Sequence, residues 1–270
     1  MPFARVRTPQ GITTADREGY FRVELAGRFA EGWNEVELEL AERPEVRVTA
    51  RALVPSPAAR FGVISDIDDT VVYSNVTRKL RMVLMLALSN ARTRKPFAGV
   101  AAFYRALHQG RSSSPNPFFY VSKSPWNLYA PLVEYFAHQG LPAGPLLLRD
   151  FGWRMQKQHK ETAIADILAT YPKLPFVLIG DSGEHDPEIY AGIVHRFPSR
   201  IRAIYIRLVK PDAKRIRAVE KLVAEVAKTG CQLVLAPNTE IAATHAAAER
   251  LIAVEDLKKV RRDRERDARA

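Results

Sequence analysis

The sequence contains one cysteine, Cys231, and this scarcity excludes an internal disulfide framework. Cys231 lies in the apolar run CQLVLA, which predicts a buried structural role for its thiol. No run of roughly eighteen apolar residues occurs either, so no membrane-spanning helix is predicted. The first residues, MPFARVRTPQ, lack the apolar core of a signal peptide. Together these absences predict a cytoplasmic protein.

Acidic residues are fewer than basic ones: the chain has 30 aspartates and glutamates and 41 lysines and arginines, which gives a formal net charge of +11. Such a charge attracts phosphate-rich partners, namely nucleic acid, anionic membranes or phosphorylated small molecules, without choosing among them. Part of the excess lies in the C-terminal stretch KKVRRDRERDARA, whose mixed charges indicate a solvated helix end or a frayed tail. A hydrophobic content of 47% over 270 residues predicts a packed core.

Apolar and polar residues alternate in the first part of the chain, as they do in half-buried strands. The alternation covers Tyr20–Leu25, Asn34–Leu40 and Val46–Val54, with turn residues between the runs. It predicts a small antiparallel β domain, sandwich-like, over residues 1–58, with a linker at Val54–Pro57.

Short apolar strands alternate with helices from residue 59 onward. The strands are predicted at Phe61–Ser65, Phe118–Val121, Leu146–Leu148, Phe176–Gly180, Ile201–Leu208 and Gln232–Leu235. The helices are predicted at Gly99–His108, Asn127–His138, Lys160–Thr170, Glu188–Arg196, Ala213–Lys228 and from Glu240 onward. This order predicts an α/β domain over 59–270, with a Rossmann-like, mostly parallel sheet and helices on both faces. Ligands of such sheets bind at the carboxyl ends of the strands.

A segment between the first two of these strands interrupts the alternation and predicts a small helical cap, inserted at about 75–97. Its middle, Met82–Leu88, is apolar nearly all round, and basic residues flank it on both sides. Two interpretations are open. The segment is a helix packed over the domain, or a cap helix over the active site that also touches a lipid surface.

Three carboxylates follow the first strand of the α/β domain, in Asp66-Ile67-Asp68-Asp69-Thr70. Carboxylates so close repel one another and normally require a cation. In an extended or tightly looped backbone, Asp66 and Asp68 point the same way, so one can attack phosphorus while the other handles protons. The alternative is an acidic turn that caps the next helix.

A second acidic pair, Asp181 and Asp186, follows the predicted strand Phe176–Gly180 and suits a hard cation with oxygen ligands. A helix-capping role is the alternative for Asp186, because Pro187 would then occupy the first helical position. For His185 we expect a hydrogen-bonding role in the loop rather than a role as metal ligand or base.

Two further positions complete a predicted phosphate site. The Ser122 hydroxyl follows the second strand, where the amides of the next turn also reach phosphate oxygens. Lys160 opens the helix after the third strand and would balance the charge of nucleophile and phosphate. Lys157 is the competing candidate for this role.

Taken in chain order, the first acidic cluster, the serine, the lysine and the second acidic pair resemble the motifs of the haloacid dehalogenase superfamily. Its Asp-x-Asp-x-Thr motif corresponds to residues 66–70, its serine or threonine to Ser122, its lysine to Lys160, and its acidic pair to Asp181 and Asp186. Longer stretches, FGVISDIDDTV, YVSKSPWNLY, LLLRDFGW and FVLIGDSGEHDPEIY, resemble the actin-patch phosphatidate phosphatase family and its bacterial relatives. This resemblance covers about residues 50–210.

The resemblance implies a haloacid-dehalogenase-like phosphatase that hydrolyses a phosphomonoester with Mg²⁺ as cofactor. It implies Asp66 as the nucleophile that forms an aspartyl-phosphate, and Asp68 as the acid and base. The implied metal ligands are Asp66, Asp68 through its backbone carbonyl, Asp181 and, directly or through a hydrogen bond, Asp186. The expected substrate contacts are Thr70, Ser122, Lys160 and Arg149.

The substrate itself stays open. The family resemblance implies phosphatidate, and hence lipid metabolism, for the fungal members. A soluble or nucleic-acid phosphoester is the first alternative, and a non-catalytic binding module is the second. A dehalogenase needs neither Asp68 nor the acidic loop at Asp181. Basic residues that would favour an anionic lipid headgroup, or any phosphate, are Arg78, Lys79, Arg92, Arg94, Arg149 and Arg154. A peripheral location at a membrane surface is the alternative to a purely cytoplasmic one.

Overall fold

The computed structural model describes residues 2–17, 19–68, 70, 97–149, 158–209 and 212–269. The chain divides into two compact units, Met1–Pro57 and Ala58–Ala270. The division falls at the end of Val54–Pro57, the predicted linker. Hydrophobic clusters form within each unit.

A four-stranded antiparallel sheet makes up the first unit. Its strands are β1 (Arg5–Thr8), β2 (Gly11–Thr14), β3 (Gly32–Leu40) and β4 (Arg43–Val54), in the order β2-β1-β3-β4. Val6, Val36 and Leu38 are buried together on one face, because alternate residues of a strand point to the same side.

The hairpin of β1 and β2 is not among the strands predicted from the sequence. Each of its strands has only 4 residues, too few for the alternation to stand out. The strand predicted at Tyr20–Leu25 is wrong, because this segment is irregular and β1 pairs with β3 instead. The described residues of this unit form a single sheet rather than the two stacked sheets of a sandwich.

In the described residues of the second unit, six parallel strands form the central sheet. They are β5 (Gly62–Asp66), β6 (Phe118–Pro125), β7 (Leu146–Arg149), β8 (Phe176–Asp181), β9 (Ile201–Arg207) and β10 (Gln232–Ala236). Their order is β10-β9-β8-β5-β6-β7, so the neighbours of β5 are β8 and β6. Every residue of β5 is buried, as expected of a parallel strand that is covered on both faces.

Helices cover both faces of this sheet. The α-helices in the described ranges are α1 (Val100–Gln109), α2 (Tyr129–His138), α3 (His159–Thr170), α4 (Asp186–Arg196), α5 (Ala213–Ala227), α6 (Thr239–Ala248) and α7 (Val254–Arg269). Residues of α1, α2, α6 and α7 share a hydrophobic cluster with Val63 of β5. Residues of α3, α4 and α5 share another with Ile64. Because successive strand residues point to opposite faces, the prediction of an α/β fold with helices on both faces is confirmed.

The end of the chain forms two helices, whereas the sequence predicts one from Glu240. Arg250 adopts a left-handed conformation, with φ 57°, between α6 and α7. The amide of Leu251 donates to the carbonyl of Ala246 at 2.8 Å, which ends α6 as C-terminal capping motifs do. Leu251 and Ile252 are buried and fix the turn.

The basic C-terminal stretch belongs to α7 and is docked rather than frayed. Val260 is fully buried, and Asp263 pairs with Arg105 of α1 at 3.0 Å. Arg261 and Arg264 both pair with Glu240, which lies in the first turn of α6. These contacts tie α7 to two neighbouring helices, so the stretch is part of the fold.

The predicted cap at about 75–97 falls almost wholly in residues 71–96, which lie outside the described residues. Phe97, which follows them, is buried, with the guanidinium carbon of Arg207 3.2 Å from its ring centroid. None of the helices in the described part of the chain combines the length and the apolar character needed to cross a bilayer.

Candidate active site

The carboxyl ends of β5, β6 and β8 lie at one edge of the sheet. Asp66 ends β5, Asp181 ends β8, and Ser122 lies in the second half of β6. Because β5 pairs in parallel with both neighbours, their ends bring these residues close together. The buried polar residues of this region include Asp66, Asp68, Thr70, Ser122, Lys160, Asp181 and Asp186. Burying so many charged groups is costly unless they pair with one another or with a ligand.

Three carboxylates form the centre of the site. One oxygen from each of Asp66, Asp181 and Asp186 lies within 4.8 Å of the other two. Asp181 Oδ1 accepts hydrogen bonds from the amides of Gly183 at 2.6 Å and Glu184 at 3.0 Å. Asp181 Oδ2 is buried and accepts none from the residues that the structure describes.

Asp186 differs from Asp181 because both of its oxygens have donors. Its Oδ2 accepts from the amide of Asp181 at 3.2 Å, and its Oδ1 pairs with the ammonium of Lys160. Asp186 is the first residue of α4, and the preceding residue, His185, is the N-cap position without a side-chain cap bond. Asp186 therefore links the loop after β8 to Lys160 and does not cap the helix.

The Lys160 side chain reaches the carboxylates from the start of α3. Its Nζ lies 2.9 Å from Asp66 Oδ1 and 3.4 Å from Glu184 Oε2. The same Glu184 oxygen pairs with Lys123 Nζ at 2.9 Å. Glu184 thus joins the buried ammonium of Lys160 to the half-exposed ammonium of Lys123, which directly follows Ser122.

Burial raises the pKa values of the carboxylates, because the charged form loses its hydration. For Asp181, burial raises the pKa to about 7, and the nearby Asp186 and Glu184 carboxylates add to the rise. Burial also raises the pKa of Asp66 well above its usual range, although the Lys160 ammonium opposes this. Burial lowers the pKa of Lys160, but Asp66 and Asp186 outweigh that effect and raise it.

Asp68 points to a different set of partners. Ser122 Oγ donates to Asp68 Oδ2 at 2.7 Å, and Ser124 Oγ lies 3.4 Å from Asp68 Oδ1. The amide of Ser124 in turn donates to Ser122 Oγ at 2.8 Å. The Asp68 carboxylate is therefore separate from the group of three and is held by the end of β6.

Thr70 contacts the Asp66 oxygen opposite the one that Lys160 contacts, since its Oγ1 donates to Asp66 Oδ2 at 3.3 Å. Behind Asp66, Ser65 Oγ donates to the carbonyl of Asp66 at 2.7 Å and lies 2.7 Å from the hydroxyl of Tyr104. These contacts fix both the side chain and the backbone of Asp66.

For the remaining predicted site residues apart from His185, the structure describes no side chain. Arg149 ends β7 and is paired in register with Pro125, but its side chain lies outside the description. His185 is exposed. Residues outside the described ranges are Asp69, Arg78, Lys79, Arg92, Arg94, Arg154 and Lys157.

Glu184 and Lys123 contribute to the site although neither is singled out in the sequence. They are 61 positions apart, and only the neighbouring strands β6, β5 and β8 bring them together. The signal in the sequence is position: Lys123 directly follows Ser122, and Glu184 lies between Asp181 and Asp186. Their pairing, however, depends on side-chain direction, which the motifs do not specify.

The donor set fits a hard divalent cation. It consists of carboxylate oxygens alone, which favours Mg²⁺, Ca²⁺ or Mn²⁺ over the softer metals. A buried carboxylate oxygen without a donor is costly, and a cation beside Asp181 Oδ2 would compensate it. The expected contribution of Asp68 through its backbone carbonyl stays a prediction.

Part of the chain is similar to known proteins. The family model described as "Phosphatidate phosphatase APP1, catalytic domain" matches residues 61–208. The phosphatidate phosphatase APP1 of Saccharomyces cerevisiae is 36% identical over 154 residues, which are 54% of this chain and 26% of that protein. An uncharacterized protein of Schizosaccharomyces pombe is 32% identical over 162 residues, which are 56% of this chain and 26% of that protein. The chain spans about a quarter of the length of these curated relatives.

Proposed function

The chain belongs to the family of the phosphatidate phosphatase APP1 catalytic domain, and on this basis we propose that it is a Mg²⁺-dependent phosphatase of the haloacid dehalogenase type. The proposed reaction is hydrolysis of a phosphomonoester through an aspartyl-phosphate on Asp66. The observation that carries the proposal is the buried group of Asp66, Asp181 and Asp186, with the Lys160 ammonium against two of its members.

The residues proposed to hold Mg²⁺ are Asp66 and Asp181 by their carboxylates and Asp68 by its backbone carbonyl. Asp181 Oδ2 supports this assignment because it is buried without a donor in the described ranges. Asp186 is proposed to orient Lys160 and the loop, since both of its oxygens already have donors. When bound, the ion offsets the negative charges of the nucleophile and of the phosphate oxygens that must approach each other.

In the first step, a carboxylate oxygen of Asp66 forms a bond to phosphorus while the bond from phosphorus to the alcohol oxygen breaks. The Thr70 hydroxyl and the Lys160 ammonium support this role, because each contacts a different oxygen of Asp66. They fix the direction of the carboxylate, so less conformational freedom is lost when the substrate is attacked.

Asp68 is proposed to give its proton to the leaving alcohol oxygen in this step. In the second step it takes a proton from the water that bonds to phosphorus, while the bond from Asp66 to phosphorus breaks and phosphate is released. The hydrogen bond from Ser122 Oγ, at 2.7 Å, supports the role by fixing the Asp68 carboxylate at the end of β6, the strand next to that of Asp66.

Lys160 and Ser122 are further proposed to bind the oxygens of the transferring phosphoryl group. Lys160 is anchored by Asp66 and Asp186, which leaves its charge at the centre of the site. The amide that donates to Ser122 Oγ is that of Ser124, near the end of β6, and this bond fixes the Ser122 hydroxyl at the same edge of the sheet.

The proposed substrate is phosphatidate, in keeping with the name of the yeast relative. The protein would then act on lipid at a membrane surface, as a peripheral protein of the cytoplasm, and its net charge of +11 favours an anionic surface. A soluble or nucleic-acid phosphoester is the alternative, because the residues proposed above act on the phosphate group that all of these substrates share.

The catalytic proposal is tested with Asp66→Asn and with Asp166→Asn, the same change at an exposed position of α3. Hydrolysis of para-nitrophenyl phosphate in Mg²⁺ should fall at least about a thousandfold in Asp66→Asn, because the nucleophile is lost. Asp166→Asn should keep the wild-type rate. Substantial turnover by folded Asp66→Asn protein would remove Asp66 as the nucleophile.

The substrate is tested separately, by phosphate release in Mg²⁺ from four compounds. They are phosphatidate in phosphatidylcholine vesicles, lysophosphatidate, para-nitrophenyl phosphate and a 5′-phosphorylated oligonucleotide. The highest kcat/KM is expected for phosphatidate. A higher kcat/KM for one of the other compounds would reject phosphatidate as the preferred substrate and leave the chemistry standing.

A further inference from the structure

The loop between β8 and α4 carries Asp181 and Asp186, and a single arginine of α5 holds it from outside. Arg215 Nε donates to the carbonyl of Ser182 at 2.7 Å, and Arg215 Nη2 donates to the carbonyl of Glu184 at 2.6 Å. Both carbonyls lie between the two aspartates in sequence. The guanidinium therefore binds the main chain of the loop at two points.

The same guanidinium also reaches the start of α4. Glu188 lies in the first turn of that helix, and its carboxylate faces the guanidinium fork, with Arg215 Nη2 3.0 Å from Glu188 Oε2 and Nη1 bonded to Oε1. Paired parallel bonds of this kind fix both groups in one geometry, which a lysine cannot reproduce. Arg215 thus spans the acidic loop from Ser182 to the first turn of α4.

The two held peptide groups determine where the Asp181 carboxylate points. The amides of Gly183 and Glu184 bind Asp181 Oδ1, and the Ser182 and Glu184 carbonyls that Arg215 binds belong to the same short turn. If this turn moved, Oδ1 would rotate with it, and the Asp181 carboxylate would leave its position near Asp66. The contacts of Arg215 therefore act on Asp181 through the backbone.

Arg215 is held in place by its own element. Asp212 caps α5, and its side chain accepts from the amide of Arg215 at 3.1 Å. The segment before the helix is tied to the same loop, since the amide of Val209 donates to Ser182 Oγ at 2.9 Å. Arg215 also lies outside residues 61–208, the part of the chain that the family model matches.

We propose that Arg215 is a positioning residue for the divalent-cation site: by holding the Ser182 and Glu184 carbonyls, it keeps the Asp181 carboxylate facing Asp66. This inference rests on the proposed function for the identity of the cation. Partners of metal-binding residues typically change metal affinity by about 10–100-fold when they are removed. Loss of Arg215 is expected to weaken Mg²⁺ binding to that extent.

The test measures Mg²⁺ binding to the full chain by titration calorimetry, without substrate, for the wild type, Arg215→Ala and Arg215→Lys. Arg217→Ala is the matched control, because Arg217 is an exposed arginine of the same helix. We expect the Kd for Mg²⁺ to rise about tenfold or more in Arg215→Ala, less in Arg215→Lys, and not at all in Arg217→Ala. The Mg²⁺ concentration that gives half-maximal hydrolysis should rise in parallel, with kcat at saturating Mg²⁺ nearly kept.

The outcomes separate this inference from the proposed function. If the wild type binds Mg²⁺ and folded Arg215→Ala binds it equally well, Arg215 has only a structural role and the inference is overturned, while the function stands. If Arg215→Ala does not fold, Arg215→Lys decides by the same criterion. If the wild type neither binds Mg²⁺ nor hydrolyses phosphoesters, the proposed function fails and the inference fails with it.

Discussion

At the scale of single residues, Gly180 allows the acidic loop to close on itself. It lies next to Asp181, and a Cβ built on Gly180 would be 2.8 Å from both Cβ and Cγ of Asp186. Real side chains do not approach so closely, so any larger residue must displace Asp186. Because Asp186 pairs with Lys160 and binds the Asp181 amide, this displacement would reach the whole site.

Gly180→Ala is therefore expected to lower the free energy of unfolding by about 1–3 kcal/mol, the usual cost of overpacking. It should also weaken Mg²⁺ binding. Gly192→Ala is the control, because a Cβ at Gly192 in α4 meets nothing within 4 Å. This second change should stabilise the protein by about 0.5–1 kcal/mol. Urea denaturation of both variants, with and without Mg²⁺, measures the difference, and equal effects would contradict the argument.

Individual site residues could be predicted where one strand end supplies them. Asp66 and Asp181 follow apolar strands directly, and parallel strands bring their carboxyl ends to one edge, so their proximity follows from the fold class. The roles of Glu184 and Arg215 could not be predicted in this way. The contacts of Arg215 join positions 31 and 33 residues apart in sequence, and they depend on the direction of one side chain.

At the scale of elements, α5 and α6 begin in the same way. Asp212 caps α5 and accepts from the amide of Arg215, and Asn238 caps α6 and accepts from the amide of Ile241. Both caps satisfy one of the amides that the first turn of a helix leaves unpaired. The first turn of α5 carries Arg215, the residue proposed to hold the acidic loop.

Asp212→Ala and Asn238→Ala are each expected to lower the free energy of unfolding by about 1 kcal/mol, because each removes one helix cap. Only Asp212→Ala should raise the Mg²⁺ concentration needed for half-maximal phosphatase activity, because only that cap fixes the turn with Arg215. Urea denaturation and Mg²⁺ titrations of activity compare the two variants. An equal effect of both variants on the Mg²⁺ requirement would contradict this link.

Elements were predictable from sequence where the apolar pattern was strong. The buried strands of the α/β unit have short apolar runs between helices, and their positions agree with the sequence to within a few end residues. The prediction of a strand at Tyr20–Leu25 was wrong. Alternation of apolar and polar residues indicates a half-buried face, but it does not show whether a partner strand is available to pair with the segment. The prediction of one continuous helix from Glu240 failed too. The break between α6 and α7 depends on the left-handed conformation of Arg250, and an arginine, unlike a glycine, does not indicate that conformation in a sequence.

At the scale of the whole molecule, the predicted family is confirmed over residues 61–208, the range that contains the buried acidic group. The pKa of Asp181 is raised to about 7, largely by burial. In an unfolded chain an aspartate has a pKa of about 3.9. Between these two values the folded, metal-free protein holds a proton on Asp181 that the unfolded chain has released.

In the presence of a chelator, the free energy of unfolding should therefore fall as pH rises from about 4 to about 7 through this group. The sign follows because the folded state binds more protons in that window. Stabilisation by Mg²⁺ should be larger at pH 8 than at pH 5, since metal binding needs ionised carboxylates. Thermal midpoints across this range, compared with Asp181→Asn, test the claim. Parallel profiles for the wild type and the variant would refute it.

The central claim is that Asp66 and Asp181, from neighbouring strands, hold one divalent cation between their carboxylates. Its most direct measurement is anomalous diffraction from crystals of the wild type soaked in Mn²⁺, which accepts the same oxygen ligands as Mg²⁺. The account predicts an anomalous peak within coordination distance of both carboxylates, lost in crystals of Asp181→Asn. Well-diffracting crystals with no peak between Asp66 and Asp181 would contradict it.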